Sequence, residues 1–201
     1  MSGTTLFDQT INLHFIEARE CWKATRLPGS RTIQKEIRGM LQACERFWPL
    51  DEFAPYRLAA VMVSESGGNT RNTAKPNEPS YGPWCGTVEE AHEAHMVFPD
   101  ILCPRAVVPA RDRLQADPEW AALVAGATLW RYDHAASGDR VRGLLIYKFG
   151  AAGLSKALHE HDGPMTDLAV WRHYESCLNW LLCLRDRLAM DSTPPCGCAT
   201  P

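Results

Sequence analysis

The sequence has no long hydrophobic run, no excess of basic residues and no internal repeat, low-complexity block or heptad array. None of its apolar stretches approaches the roughly 20 residues that a membrane-spanning helix needs. The formal net charge of −3 over 201 residues gives no polyanion-binding signature. We therefore expect no membrane span and no nucleic-acid partner.

The N-terminal residues also lack the basic segment followed by an apolar core that marks a secretory signal peptide. The eight cysteines are too few for a disulfide scaffold. Most of them stand among apolar residues, where a free thiol packs as a small hydrophobic group, so we expect them to be mostly reduced.

The length and the 45% hydrophobic content fit one well-buried domain. We place this domain at residues 30–190, with an N-terminal extension over 1–29 and a disordered tail over 191–201. The predicted fold is mainly α. Helical spacing of apolar residues predicts a helix over 30–48, and further helices are predicted at 55–65, 117–132, 139–149 and 166–190.

Strand signals are weak and confined to the loop between the second and third helices. Residues 67–83 are rich in Gly, Asn, Pro and Ser and predict an irregular loop, with room for a small hairpin around Asn77–Tyr81. A short helix follows, with Thr87 as its N-cap and Glu90 at the capping-box position. Residues 99–118 contain four prolines and predict a connecting excursion.

Glu65 is the candidate catalytic residue because it ends an apolar helix. A carboxyl group at such a place loses part of its hydration, which favours the protonated form that a general acid requires. Fifteen residues later comes a turn of small residues and aromatics suited to a sugar ring, Ser80-Tyr81-Gly82-Pro83-Trp84. A solvated carboxylate is the alternative, although the helix dipole disfavours a negative charge at this end.

These elements, followed by Gly126 and by Tyr147-Lys148-Phe149-Gly150, resemble the soluble lytic transglycosylase family, which is related to goose-type lysozyme. The family pattern is Glu-Ser at a helix end, Ser-x-Gly-Leu-Met-Gln, a helix with Asn-Ile-x-x-Gly-x-x-Tyr-Leu, and Ala-Tyr-Asn-Ala-Gly. The resemblance covers about residues 55–155. It implies a lysozyme-like helical domain with a small loop or hairpin beside the active-site cleft.

The resemblance also implies the site and its reaction. Glu65 would be the single acid/base that cleaves the bond between N-acetylmuramic acid and N-acetylglucosamine, without a cofactor. The substrate-binding residues would be Ser66, Ser80, Tyr81, Gly82, Trp84 and Tyr147. Trp84 could instead fill the core beneath the loop, and Tyr147 could be a core tyrosine.

The sequence departs from the family pattern at several positions. Pro83-Trp84-Cys85 replaces Leu-Met-Gln, and Lys148-Phe149 replaces Asn-Ala. A longer gap between the second and third motifs implies an insertion at about 90–118. Three functions stay open, namely transglycosylase, lysozyme-type hydrolase and an inactive structural protein of a phage particle. Glu78 is the nearest candidate for a second carboxylate, although a solvated position is the alternative.

Two further expectations complete the prediction. Peptidoglycan strands would be the substrate, and a phage particle or a holin-type lesion would bring a protein without an export signal to the cell wall, as a virion component or an endolysin. Cys85, His92, His95 and Cys103 form a possible zinc set, since two thiolates and two imidazoles suit tetrahedral zinc. The alternative is two solvated histidines and two buried thiols.

Overall fold

The computed structural model describes residues 5–22, 30–67, 80–102 and 110–191, and the prediction of a mainly α fold is confirmed. In chain order the elements are α1 Leu6–Trp22, α2 Ser30–Phe47, α3 Ala54–Ser66, β1 Ser80–Tyr81, β2 Gly86–Thr87, α4 Val88–Val97, α5 Pro99–Leu102, α6 Ala110–Ala116, α7 Pro118–Ala135, α8 Arg140–Glu160, a 3-10 turn Met165–Asp167, and α9 Ala169–Asp191.

Helix α7 lies at the centre and contacts α2, α4, α6 and α8. It begins as the sequence predicts, with Asp117 accepting a hydrogen bond from the Trp120 amide at 3.2 Å. Small residues let α2 approach closely, because a β-carbon at Gly126 would lie 2.7 Å from Cβ of Ala43. Gly126, which the family pattern marks, is therefore a packing residue in this fold.

A second packing layer joins the two ends of the chain. Helix α9 packs against α1 and α3, and Phe7, Ile11 and Phe15 of α1 are buried in the common core. The segment predicted as an N-terminal extension thus contains a helix that belongs to the packed domain. Residues 192–201, predicted to be a disordered tail, lie outside the described residues.

One local prediction is wrong in detail and another is confirmed. Parts of the predicted excursion over 99–118 are helical, and Leu114 of α6 is buried against the hairpin and the core. Gly150, predicted to stop a helix, does so with φ 68° and ψ 162°, and a second helical stretch follows directly, so α8 consists of two helices joined at a kink. Glycine adopts this backbone conformation without the strain that a β-carbon would add, which explains the residue at this break.

None of the helices in the described ranges is long and apolar enough to cross a bilayer. Cys44, Cys177 and Cys183 are free thiols, and burial raises the pKa of Cys44 to about 12. That thiol therefore stays protonated and packs as an apolar group.

Candidate functional site

Helix α3 delivers Glu65 to one edge of the domain. Pro55 lies in its first turn, and its body is buried from Leu58 to Met62. The helix ends at Ser66 because Gly67 adopts a left-handed conformation, φ 61°, and its amide donates to the Val63 carbonyl. The Glu65 side chain keeps 10% of its full exposure, so the carboxylate is largely enclosed at the end of the helix.

The hairpin of β1 and β2 lies directly against this helix end. Its strands pair antiparallel, with Ser80 opposite Thr87 and Tyr81 opposite Gly86, so the hairpin forms further along the chain than predicted. Gly82 takes φ 74° at the turn, and a β-carbon there would lie 2.2 Å from the Leu114 carbonyl oxygen. Gly82 is thus required by a strained turn and a close backbone approach.

Three hydrogen bonds fix the turn to α3. The Ser66 hydroxyl donates to the Pro83 carbonyl at 2.6 Å, and the Trp84 indole donates to the Leu58 carbonyl at 3.1 Å. The Cys85 thiol also lies 3.7 Å from the Glu65 carbonyl oxygen, within reach of a weak sulfur hydrogen bond. The segment that departs from the family pattern therefore holds the hairpin beside Glu65.

Tyr147 connects α8 to the hairpin turn beside Glu65. Its hydroxyl donates to the Trp84 carbonyl at 2.8 Å. Burial raises the pKa of Tyr147 well above its ordinary value, and the carboxylates of Glu90 and Glu65 raise it further. The phenol therefore stays protonated and acts as a donor that keeps α8 against the hairpin.

Lys148, the next residue of α8, contacts the candidate catalytic group. Its ammonium Nζ forms an ion pair with Oε1 of Glu65, and the lysine side chain is 22% exposed. The positive charge of Lys148 offsets the unfavourable placement of a negative charge at the C-terminal end of α3.

Glu90 brings a second carboxyl group near this pair. Its side chain accepts a hydrogen bond from the Thr87 amide at 2.8 Å, and the Thr87 hydroxyl accepts from the Glu90 amide, which confirms the predicted capping box. Burial raises the pKa of Glu90, the bonds to Thr87 lower it, and Glu93 and Glu65 raise it again. Glu90 is therefore both a helix cap and an electrostatic neighbour of Glu65.

The structure brings most of the predicted site residues together but corrects one role. Trp84 is only 1% exposed and donates its indole N–H to the protein backbone, so it fills the core and offers no face to a sugar ring. Tyr81 and Ser80 are partly exposed on β1 and remain candidates for substrate contact. Ser66 and Tyr147 hold the hairpin by hydrogen bonds to its backbone carbonyls, and Gly82 forms its turn.

The possible zinc set gains no support from the described side chains. Within the described ranges, no group of three or more His, Cys, Asp and Glu residues is arranged to hold a metal ion. His92 is exposed on α4 and His95 is partly buried. Cys103 lies outside the described residues, as does Glu78, the candidate for a second carboxylate.

Two residues of the site have no catalytic role in the sequence-based prediction. Lys148 is there only a departure from asparagine, and its contact with Glu65 depends on how α8 packs against the end of α3. Glu90 was assigned to helix capping alone. Its proximity to Glu65 depends on how α4 leaves the hairpin, which no local pattern encodes.

Neither protein-family models, nor curated proteins, nor solved structures give a match to this chain. The functional interpretation therefore rests on the residues of the site and on the resemblance of their motifs.

Proposed function

We propose that this protein cleaves the glycan strands of peptidoglycan as a lytic transglycosylase, with Glu65 as its acid/base. The observation that carries the proposal is the meeting of three separated segments. The end of α3, the turn of the hairpin and the Tyr147-Lys148 pair of α8 lie in mutual contact. These are three of the four segments of the family pattern, in the same order along the chain.

In the first step, protonated Glu65 donates to the glycosidic oxygen between N-acetylmuramic acid and N-acetylglucosamine. The developing oxocarbenium ion is stabilised by the N-acetyl group of the substrate, as in glycosidases that use substrate assistance in place of a second carboxylate. A largely enclosed carboxyl group suits this role, because little water competes for its proton.

In the second step, Glu65 as carboxylate removes the proton from the C6 hydroxyl of the muramyl residue. The C6 oxygen then bonds to C1 and closes a 1,6-anhydro ring, which leaves Glu65 protonated for the next turnover. In the free protein Lys148 forms an ion pair with Glu65, so this contact must open before Glu65 can donate to the glycosidic oxygen.

A lysozyme-type hydrolase is the second candidate, and Glu90 is the observation that favours it. Hydrolysis with two carboxyl groups needs one acid and one base or nucleophile near the scissile bond. Glu90 lies close enough to Glu65 for the negative charge of Glu65 to raise the pKa of Glu90. Its carboxylate already accepts a hydrogen bond from the Thr87 amide, so one of its oxygens is engaged in capping α4.

Digestion of purified peptidoglycan followed by mass spectrometry tests both candidates. Anhydro-muropeptides identify the transglycosylase, and reducing ends identify the hydrolase. Glu65→Gln should lower the rate by about 10²–10⁴-fold, the usual contribution of a general acid/base. Glu89→Gln is the matched control, because Glu89 is an exposed carboxylate in the first turn of α4.

Each other outcome has a defined meaning. Full activity in Glu65→Gln would show that another residue is the acid. Absence of both products in the wild-type protein would overturn the enzymatic proposal and favour the structural protein of a phage particle. Loss of reducing ends in Glu90→Gln, with folding intact, would support hydrolysis.

A further inference from the structure

We infer that Lys148 determines substrate preference by exchanging Glu65 for a carboxylate carried by the muramyl residue. This inference rests on the proposed glycan-cleaving function and names the class of strand on which it acts. The exchange would make release of Glu65 depend on an anionic group next to the reacting sugar.

The contact between Lys148 and Glu65 is suited to exchange. Lysine carries a compact charge on a flexible four-carbon stem with three rotatable donors. The Lys148 side chain is 22% exposed and that of Glu65 10% exposed, so solvent reaches more of the lysine than of the glutamate. A ligand that enters from solvent can therefore reach the lysine side chain.

The charges around the pair explain why a cation is needed at this place. Glu65 and Glu90 are near enough to influence one another and Tyr147, and both carry negative charge when ionised. Glu93 is compensated by Arg131 at 3.0 Å. A carboxylate on the substrate would be repelled by Glu65 and Glu90, and Lys148 supplies the positive charge that offsets this repulsion.

The exchange also links binding to the chemical step. When Lys148 turns to the substrate, the Glu65 carboxyl group loses its ion-pair partner and becomes available to the glycosidic oxygen. A strand with a muramyl carboxylate would thus release the group that acts on it, and a neutral strand would not.

The carboxylate has two chemical sources on peptidoglycan. One is the lactyl group of the muramyl residue, which is a free acid where the stem peptide has been removed. The other is the stem peptide itself. The shared chemistry is a carboxylate attached through the C3 substituent of the muramyl ring, and the substrates of the test distinguish the two sources.

The test compares kcat/KM on three substrates, which are peptide-free strands prepared with an amidase, strands with intact stem peptides, and chitin oligosaccharides without carboxylates. Wild-type protein should prefer a carboxylate-bearing strand over chitin, and Lys148→Asn should reduce this preference about fivefold, the value of a partly exposed ion pair. Lys156→Asn is the matched control, because Lys156 is an exposed lysine of α8.

The results separate this inference from the proposed function. Loss of preference in Lys148→Asn but not in Lys156→Asn supports it, and a preference for peptide-free over peptide-bearing strands assigns the lactyl carboxylate. The opposite preference assigns the stem peptide. Equal substrate ratios in wild type and Lys148→Asn overturn the inference, even when both proteins cleave glycan.

A binding measurement tests the inference without turnover. Glu65→Gln leaves Lys148 without its anionic partner, so this variant should bind peptide-free strands more tightly than wild type. The double variant Glu65→Gln/Lys148→Asn should lose the gain. Equal affinity of the single and double variants would overturn the role of Lys148, whatever the activity of the wild-type protein.

Discussion

Helix α3 carries an ion pair at each end, and the two pairs differ in how they are held. Near its start, Arg57 lies 3.1 Å from Asp133 of α7 and 3.6 Å from Asp51, and its guanidinium also packs over the Trp48 ring. Near its end, Glu65 pairs with Lys148, whose side chain is 22% exposed. The first pair is enclosed on all sides, and the second opens to solvent.

The surroundings of Asp133 strengthen the contrast. A β-carbon at Gly143 of α8 would lie 2.3 Å from Oδ1 of Asp133, so the absence of a side chain makes room for the carboxylate. Arg57 also contacts Tyr174 of α9, which connects four segments through one guanidinium. The pair at the start of α3 is therefore connected to more segments of the fold than the pair at its end.

The largest expected effect follows from breaking the enclosed pair. Asp133→Ala should lower the free energy of unfolding by about 3–5 kcal/mol, because it leaves Arg57 buried with part of its charge uncompensated. Urea denaturation followed by circular dichroism measures the change.

The control for this prediction is an exposed pair of nearly the same length. Arg46 and Asp100 lie 3.0 Å apart with side-chain exposures of 53% and 62%. Asp100→Ala should cost less than about 1 kcal/mol, since exposed pairs contribute little. Equal losses of unfolding free energy in the two variants would contradict the conclusion that burial determines how much an ion pair contributes to stability.

Glu36 of α2 extends the comparison to a buried carboxyl group that forms no ion pair with the described residues. It is 2% exposed, and neither of its oxygens has a hydrogen-bond partner in the described part of the chain. Burial raises the pKa of Glu36 from 4.5 to about 8. The folded protein thus binds more protons than the unfolded chain between these values, so stability is lost as pH rises from about 4.5 to about 8.

Glu36→Met should therefore stabilise the protein, by about 1–3 kcal/mol at pH 8 and by less at pH 5. Unfolding of both proteins across this pH range gives the difference. Burial lowers the pKa of His14 to about 4. Because wild type and variant are compared at the same pH, the contribution of His14 cancels. Glu45→Met, an exposed position on α2, should keep the wild-type pH dependence. If Glu36→Met stabilised the protein equally at all pH values, the stability lost as pH rises could not be assigned to Glu36.

Much of this fold was predictable from sequence because its helices carry strong local signals. Asp117-Pro118 starts α7, Thr87 and Glu90 cap α4, and Pro55 opens α3. Gly150 marks the helix end that the sequence predicts, but the helical stretch beyond it was not predicted. The helices within 99–118 were missed because their prolines outweighed short apolar signals.

The site was predictable in its chain segments but not in its contacts. The motif spacing predicted Glu65, the hairpin and Tyr147, which the structure brings together. The burial of Trp84 and the ion pair of Lys148 depend on how α3, the hairpin and α8 pack. A sequence gives the identity of a side chain at such a place, but the tertiary contacts decide whether it faces solvent, core or a partner.

The smallest expected effect concerns the open pair and completes the comparison. Glu65→Gln should change the free energy of unfolding by less than about 1 kcal/mol, because the partly exposed ammonium of Lys148 can return to water when its partner is removed. Denaturation of this variant beside Asp133→Ala measures the ratio. A loss comparable to that of Asp133→Ala would make the pair of Glu65 and Lys148 a structural element of the fold. A small loss, together with a changed substrate preference, is what an exchangeable ion pair in a binding cleft requires, since a pair essential for folding could not open in each turnover.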